Sequence, residues 1–281
     1  MGIELKKEFK KWLYMPVFSL AFMAFNTAQA QDQPSSEDAD LAQKLANPLA
    51  SLVSVPFQFN YDDGYGTANG KKSFFNIQPI VPFELNSNLT LVTRTIIPVI
   101  WQKNISGLSG SQFGLGDTTQ SFWFVPGPKQ TSLGTFTWGV GPVIQWPTST
   151  NALLGSGTLG LGATFIILFQ KNGWTYGTLV TKIWGVAKTR SGTPDLNILL
   201  FQPFLSYTTK TRWTFTVNAE TSYDLTAKDF SLPINLMVNK LTSVGSQKVQ
   251  FQVGGRYYVN RTVGGPDGWG FRFAMTLLFP G

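Results

Sequence analysis

The chemistry open to this chain is that of carboxylates, amines and guanidinium groups, because its 281 residues include no histidine and no cysteine. Imidazole serves as base or ligand in catalytic triads and in most metal sites. Cysteine is needed for disulfides and for thiolate metal sites. The sequence therefore predicts no catalytic residue, no metal and no cofactor, and it favours a protein that is not an enzyme.

Seven charged residues stand where they could act on a passing solute. They share the polar side of segments in which polar and apolar residues alternate, and they are Glu84, Arg94, Glu220, Asp224, Lys248, Arg256 and Arg272. Rings of opposite charge across a pore select solutes by charge and size. The simpler interpretation is that these groups pair with one another and brace a wet interior. We also expect the closing of a barrel to bring Arg272 near Glu84.

The segments that must position these charges have a strict period of two. In the last segment Phe271 and Phe273 flank Arg272, and similar runs cover residues 213–224 and 248–260. This period places one set of side chains on each face of a β-strand. Each run holds about a dozen residues, more than the usual ~5–6 of a globular strand and enough for the roughly 9–11 that cross a bilayer. One face suits lipid and the other suits water.

The composition agrees with a membrane barrel. Aromatic residues make up 14% of the chain and charged residues only 13%, about half the charged share of a soluble domain. Beyond the N-terminal leader there is no run of roughly 18 apolar residues, which argues against a membrane-spanning helix. There is no Lys/Arg-rich block either, and we predict no nucleic-acid partner.

The first thirty residues have the order of a secretory signal peptide. Lysines precede the apolar stretch 12–25, and Ala28-Gln29-Ala30 supplies a cleavage site of the small-x-small type. We predict that residues 1–30 are removed and that the protein reaches the cell outer membrane of a Gram-negative bacterium. A short N-terminal helix of the mature protein is the alternative.

Residues 31–47 form the predicted periplasmic N-terminal segment. Ser36 suits the N-cap of a short helix whose first turn contains Asp38. Asn47-Pro48 ends this helix, because a residue before proline avoids the helical region. Two roles are open for the segment: a periplasmic tether, or a small plug or lid at the periplasmic mouth of the barrel.

Residues 48–281 are predicted to form an all-β fold, a transmembrane antiparallel up-and-down β-barrel of about twelve strands. The candidate strands are 50–61, 72–84, 88–101, 113–125, 134–147, 158–170, 173–187, 196–208, 211–223, 230–240, 247–260 and 268–279. Short connections such as Asn172-Gly173, which has the type I′ hairpin signal, alternate with longer ones such as Asp62–Lys71. Bacterial barrels have short periplasmic turns and long outer loops, so we place the long connections outside.

The inward faces are not uniformly polar in this prediction. Ile198 and Leu200 fall on the supposedly wet side of their strand, which indicates either a partly apolar lumen or a strand covered by the N-terminal segment. Most tryptophans lie near strand ends, as in the aromatic girdles of barrels. Trp123, Trp138 and Trp184 lie further inside their strands and are candidates for facing the lumen.

Asp117 ends a Gly-Leu-Gly-Asp run that leads into a strand. Gly114 and Gly116 permit a local bulge or kink. The spacing matches no phosphate-binding loop, because no helix follows it. We interpret Asp117 as the anchor of a turn or strand bend.

Four segments of the chain are similar to those of a known family. They are ANPLASLVSVPFQFNYDDGYGTANGKKSFFNIQPIVPFELN (46–86), GLGDTTQSFWFVP (114–126), WGVGPVIQWPTST (138–150) and NILLFQPFLSYTT (197–209). They resemble the outer-membrane transporters of the phenol meta-cleavage pathway (MetA-pathway phenol degradation), some of which carry a neuromedin U-like label. The resemblance implies a β-barrel and the uptake of small aromatic or other poorly soluble compounds.

The sequence thus favours an outer-membrane channel that passes small aromatic or hydrophobic molecules by passive diffusion. A closed barrel that acts as a structural scaffold or adhesin is the main alternative, and a lipid-modifying enzyme is the weakest hypothesis because imidazole is missing. The expected partners are outer-membrane lipid, a small-molecule solute and, during biogenesis, the barrel-assembly machinery. Phe279 is the candidate terminal aromatic for that machinery.

Overall fold

The computed structural model describes residues 36–279; the signal peptide predicted for residues 1–30 lies outside them. The described residues form one helix, α1 (Ser36–Leu45), followed by sixteen strand segments. The strand segments are β1 (Val53–Tyr65), β2 (Gly70–Ile77), β3 (Ile80–Asn86), β4 (Leu89–Lys103), β5 (Ser111–Leu115), β6 (Thr118–Pro126), β7 (Lys129–Thr131), β8 (Gly134–Trp146), β9 (Thr158–Lys171), β10 (Trp174–Lys188), β11 (Asn197–Thr208), β12 (Trp213–Ala219), β13 (Thr221–Asp224), β14 (Asp229–Val244), β15 (Gln247–Asn260) and β16 (Gly268–Phe279).

These segments build a closed antiparallel barrel of twelve wall strands, as the sequence predicts. Each wall strand pairs with its neighbours in the chain, and β16 pairs with β1 to close the sheet. Three wall strands are interrupted, so that β2 with β3, β5 with β6, and β12 with β13 each count as one. The short β7 pairs with the start of β8 in the connection that follows β6.

Each interruption coincides with a proline, which has no amide to donate to the ladder. Pro79 lies between β2 and β3. Between β5 and β6, the amide of Gly116 donates to the carbonyl of Pro98. Between β12 and β13, the amide of Glu220 donates to the carbonyl of Pro233. In both of these pairs the proline has no N–H to return the bond.

The side chains alternate between an exposed outer face and a buried inner face, most strictly along β16. Phe271 and Phe273 are 40% and 42% exposed, whereas Arg272 and Ala274 are each 4% exposed. Large apolar side chains are likewise exposed on most of the other wall strands. A closed barrel satisfies its backbone hydrogen bonds between strands, which is what a lipid environment demands. The exposed apolar face therefore suits the hydrocarbon of a bilayer. Among the described residues, no helix has the length and apolar character needed to cross a membrane.

Two of the three inner tryptophans face away from the lumen, contrary to the prediction. Trp123 is buried and turned inward. Trp184 is exposed on the outer face of β10, since Ile183 beside it is the inward residue. Trp138 shares the outer parity of β8, because its neighbour Gly139 packs against Trp123 in the interior.

The ends of the barrel differ in their connections, and we name them by the rule for bacterial barrels. The end with α1 and the turns at 87–88, 172–173 and 245–246 is called the periplasmic end, and the opposite one the outer end. The first outer loop is shorter than predicted: it covers 66–69 instead of 62–71. The reason is a bulge between Asp62 and Tyr65, where Gly64 takes a positive φ of 72° and lets β1 continue.

Helix α1 packs inside the periplasmic mouth, which favours the plug over the tether. Ala42 is fully buried in an apolar cluster with Leu52, Leu241 and Leu278, and Leu45 lies at its edge. Acidic residues lie in the first turn of the helix and a lysine in the last, the arrangement that the helix dipole favours. The helix thus closes part of this end with side chains of its own.

Candidate functional site in the lumen

The barrel encloses a cavity of about 590 Å³. Its lining includes Leu45, Ala46 and Pro48 of the N-terminal segment, together with inward side chains of most wall strands. The wall of this cavity has two halves of different chemistry. One half is ionic and the other is apolar.

The ionic half is organised around the carboxylate of Glu220, between β12 and β13. Arg272 donates from Nη1 to Oε1 at 2.7 Å and from Nη2 to Oε2 at 3.0 Å. Arg256 donates from Nη2 to Oε2 at 2.7 Å. The Nε of Arg272 donates to Asn60 Oδ1 at 2.7 Å. A two-point bond between guanidinium and carboxylate fixes orientation as well as charge, so this cluster is held in one arrangement.

A second carboxylate, Asp62, extends the ionic half toward the outer end. The hydroxyl of Tyr258 donates to its Oδ2 at 3.0 Å, and Arg256 Nη1 lies 3.5 Å from the same oxygen. The guanidinium of Arg256 also lies over the rings of Phe74 and Tyr258, at 5.9 and 5.4 Å. Both carboxylates of the ionic half therefore share Arg256, which is almost fully buried.

The apolar half comes from β6, β9, β10 and β11, opposite the ionic strands in the order of the sheet. Its lining residues include Trp123, Ile166, Leu179, Ile183, Ile198, Leu200 and Phe204. Ile198 and Leu200 thus lie on the lumen. An apolar strip beside an ionic strip makes the lumen amphipathic.

Arg94 stands on β4 beside the apolar half. Its guanidinium lies 5.2 Å from the centre of the Trp123 ring, a cation–π arrangement. Its Nε is buried and has no hydrogen-bond partner. The hydrogen bonds and ion pairs that hold Arg256 and Arg272 to Glu220 do not include Arg94.

Of the seven charges selected from the sequence, four line the cavity: Arg94, Glu220, Arg256 and Arg272. The other three lie at the barrel ends. Lys248 binds Asp38 of α1 at the periplasmic mouth. The carboxylate of Asp224 accepts from the amides of residues 226 and 227 in an outer turn. Glu84 is exposed near the periplasmic turn at 87–88.

The expected approach of Glu84 to Arg272 is wrong. Arg272 lies opposite Asn60 on β1, whereas Ile80 of β3 lies opposite Ser54, nearer the periplasmic end. Glu84 is further still in the same direction along β3. The stagger between strands therefore carries these two charges apart, and Glu220 takes the place of the expected partner.

Two inward charges escaped the sequence analysis, Asp62 and Lys72. They are cross-strand partners at the outer end of β1 and β2. Asp62 was missed because residues 62–71 were predicted to form a loop outside the barrel wall.

Together, six charged side chains of the described strands point inward away from the ends. The cations Lys72, Arg94, Arg256 and Arg272 exceed the carboxylates Asp62 and Glu220 by two positive charges.

The plug is held by ion pairs as well as by apolar contact. Asp38 of α1 lies 2.7 Å from the ammonium of Lys248 and 3.1 Å from Nη1 of Arg212. Burial opposes ionisation of Asp38, but the hydrogen bonds and charges of Lys248 and Arg212 outweigh it and lower the pKa of this carboxyl. Asp38 is therefore charged at neutral pH and ties α1 to β15 and to the turn before β12.

At the outer end, the loop of residues 147–157 is anchored by Asp117. Its carboxylate accepts from the amides of Ser149 and Ser156 at 3.1 and 2.6 Å, and from the Ser156 hydroxyl at 2.8 Å. Gly114 fits under this loop because a Cβ there would meet Thr150. Asp117 is thus a structural anchor, as interpreted from the sequence.

The comparisons with known proteins agree with this architecture. The barrel is similar to the COG4313 outer membrane channel from Pseudomonas putida F1, with a TM-score of 0.62 and 12% identity over 82% of this chain and 96% of that one. This chain has the fold of an outer-membrane β-barrel. Outer membrane phospholipase A from Escherichia coli gives a TM-score of 0.46 at 10% identity, over 82% of this chain and 98% of that one. The β domain of the Bordetella autotransporter BrkA gives 0.42 at 9%, over 82% and 100%. These two likenesses are too weak to support an argument. No protein-family model and no curated protein matches the chain.

Proposed function

We propose that this protein is a channel of the Gram-negative outer membrane that passes small solutes by passive diffusion through its lumen. The observation that carries the proposal is the cavity of about 590 Å³ inside a closed barrel whose outer face is apolar. Barrels of eight strands are filled by side chains and those of 16–18 strands hold an open channel. A barrel of twelve strands lies between these cases. Likeness to a channel of Pseudomonas putida supports the same function.

The apolar half of the lumen supports small aromatic or hydrophobic solutes as the cargo. Ile198, Leu200 and Phe204 are partly exposed to the cavity and offer an apolar surface to such a molecule. The four segments that resemble phenol-pathway transporters point to the same class. Outer-membrane lipid is the proposed partner of the apolar outer face, and the exposed ring of Phe279 at the end of β16 is the proposed signal for barrel assembly.

No catalytic role is proposed, because the chain has no histidine to act as a base. Among the described residues there is also no cluster of three or more residues able to hold a metal ion. Both carboxylates of the lumen are paired with guanidinium groups, an arrangement that supports screening of solutes rather than proton transfer.

A closed barrel that acts as a scaffold or adhesin is the second candidate. One observation favours it: α1 fills part of the periplasmic mouth with buried apolar side chains and ion pairs. In a channel, this plug narrows the exit and is expected to limit the flux. In a closed scaffold, removal of α1 is expected to open no selective path for solutes through the barrel.

Flux into vesicles separates the two functions. The folded protein is reconstituted into phospholipid vesicles, and entry of phenol-sized neutral solutes and of sugars is followed by vesicle swelling. We expect entry that falls steeply with solute size and rises when residues 31–47 are deleted. Absence of entry with both forms of the barrel would contradict a channel and support the scaffold.

A further inference from the structure

We propose that Arg94, Ser121 and Trp123 form a binding site for the carboxylate of a small aromatic acid in the lumen. This inference rests on the proposed channel function and gives it a substrate class, flat monoanions with an apolar body. The ion pairs that hold α1 in place and those that centre on Glu220 take no part in this site.

The three arginines that line the cavity differ in what holds them. Arg256 and Arg272 both bind Glu220 at 2.7 Å. Arg94 makes no hydrogen bond or ion pair with any residue that the structure describes, and its Nε is buried. A guanidinium group offers five N–H donors, and buried donors are nearly always paired in folded proteins. Arg94 is thus the arginine of the cavity wall that no described carboxylate pairs with, and its donors are open to an anion.

Two neighbours complete a receptor for a carboxylate. Ser121 of β6 lies directly opposite Arg94 of β4 in the strand register. Ser121 is buried and also lines the cavity, and its hydroxyl binds no other described residue. A guanidinium fork matches the two oxygens of a carboxylate, and the hydroxyl adds one donor beside it. This combination recognises a planar anion.

Trp123 is almost fully buried and holds the guanidinium group of Arg94 over its ring. Its Nε1 donates to Thr164 Oγ1 at 3.2 Å, and this hydroxyl lies 2.8 Å from Thr181 Oγ1. The hydrogen-bond chain holds the indole in one orientation. Phe204 packs against the apolar cluster that contains the indole, is partly exposed to the cavity and faces the body of the ligand. A site of fixed side chains binds without the cost of ordering them.

The size and charge of the lumen select the class of ligand. A cavity of about 590 Å³ lies within the roughly 300–1,000 Å³ of small-molecule sites. One open guanidinium balances one negative charge, which favours a monocarboxylate over a phosphate dianion. A neutral phenol gains the apolar contact but not the ionic hydrogen bonds. We therefore expect aromatic monocarboxylates to bind more tightly than either.

Isothermal titration calorimetry of the purified full chain in detergent micelles tests the site, with benzoate, phenol and inorganic phosphate as probes. We expect benzoate to bind at least about tenfold more tightly than phenol or phosphate. R94Q is expected to lose at least about tenfold in benzoate affinity, since hydrogen bonds to a charged group are removed. S121A is expected to lose a smaller factor, and R94K an intermediate one because an ammonium lacks the fork.

Lys72→Gln is the matched control, since it removes another inward cation, which lies across from Asp62 and 5.8 Å from the ring of Phe74, further along the barrel than Arg94. It is expected to change benzoate affinity less than about threefold. Equal affinity of the wild type for benzoate and phenol, or R94Q binding benzoate like the control, would overturn the proposal even in a conducting channel. If R94Q does not fold, the S121A variant and the three probes on the wild type still decide. Failure of solute flux with benzoate binding intact would reject the channel and leave the site standing.

Discussion

At the scale of single residues, the central feature is one carboxylate shared by two buried arginines. Glu220 receives Arg256 and Arg272 at 2.7 Å each, in the ionic half of the lumen. Charges taken out of water need geometry of this quality and further hydrogen bonds to be tolerated. Asn60 and Tyr258 supply such bonds to the two ends of the cluster. The cluster therefore braces four strands of the wall, namely β1, β15, β16 and the interrupted strand β12–β13.

Replacement of Glu220 tests this account of the cluster. The Glu220→Gln variant leaves Arg272 buried without its carboxylate and Arg256 with Asp62 alone. We expect a loss of about 3–5 kcal/mol in the free energy of unfolding. Guanidinium chloride titration in phospholipid vesicles, followed by tryptophan fluorescence, measures it. Asp195→Asn is the control, because it breaks only the exposed pair with Lys188 and should leave the midpoint unchanged. A Glu220→Gln midpoint equal to that of the control would show that the cluster does not stabilise the barrel.

The sequence predicted that these residues face inward, but it did not predict which residues they pair with. Arg256, Arg272 and Glu220 follow a period of two beside large apolar residues, which places them on the polar face of their strands. The partner of Arg272 depends on the stagger between strands, and no strand carries that information in its own sequence. This is why Glu84 was expected where the structure has Glu220.

At the scale of elements, α1 is the part of the fold that fills part of the periplasmic mouth. Its buried face is small: Ala42 packs in one apolar cluster, and Asp38 makes the ion pairs with Lys248 and Arg212. An element with so few contacts lies at the low end of local stability. We therefore expect α1 to leave its place well before the barrel unfolds.

The charge of Asp38 makes this release dependent on pH. The docked carboxyl has a lowered pKa, so its stabilising contribution is complete above about pH 4 and is lost as the pH falls through the lowered value. In planar bilayers, conductance should rise as the solution is acidified below about pH 4. The Asp38→Asn variant should show high conductance already at pH 7 and no such step.

The control for this experiment is Asp40→Asn, which changes an exposed carboxylate on the same helix. It should keep both the low conductance at pH 7 and the rise in acid. If Asp38→Asn behaves like Asp40→Asn, the ion pairs of Asp38 do not hold the plug.

The elements were predictable where local signals are strong. Twelve strands and the short helix follow from alternation, turn residues and the proline at position 48. The position of α1 was open between tether and plug, because ten residues with four apolar side chains do not specify what they pack against. The predicted strand β1 was too short, because a glycine such as Gly64 is as typical of a loop as of a bulge within a strand.

At the scale of the whole molecule, the protein is a barrel that is apolar outside and mixed inside. The outer face explains the low charge content, and the inner face explains the charges that are present. The alternation of polar and apolar residues predicted this arrangement, in which the apolar side chains face outward, the reverse of a soluble protein. It did not predict the division of the lumen into an ionic and an apolar half, since that depends on which strands come to face each other across the barrel.

Placing a charge on the outer face tests the membrane orientation. Phe273 lies in the middle of the outer face of β16 and is 42% exposed. We expect Phe273→Arg to cost about 2–4 kcal/mol in vesicles, the cost of an arginine at the bilayer midplane. Val263→Arg, in the outer loop, should have no measurable effect, since Val263 is 97% exposed there. Equal unfolding midpoints for the two variants would mean that Phe273 does not face lipid.

Ion selectivity in a planar bilayer tests the central claim most directly, since it requires both a continuous path and the inward charges that line it. The purified barrel is inserted between two potassium chloride solutions of different concentration, and the reversal potential of single channels is recorded. The excess of two inward positive charges predicts discrete openings that favour chloride, and a weaker preference in the Arg94→Gln variant. Discrete openings that favour potassium, or an absence of openings even after removal of residues 31–47, would contradict the account.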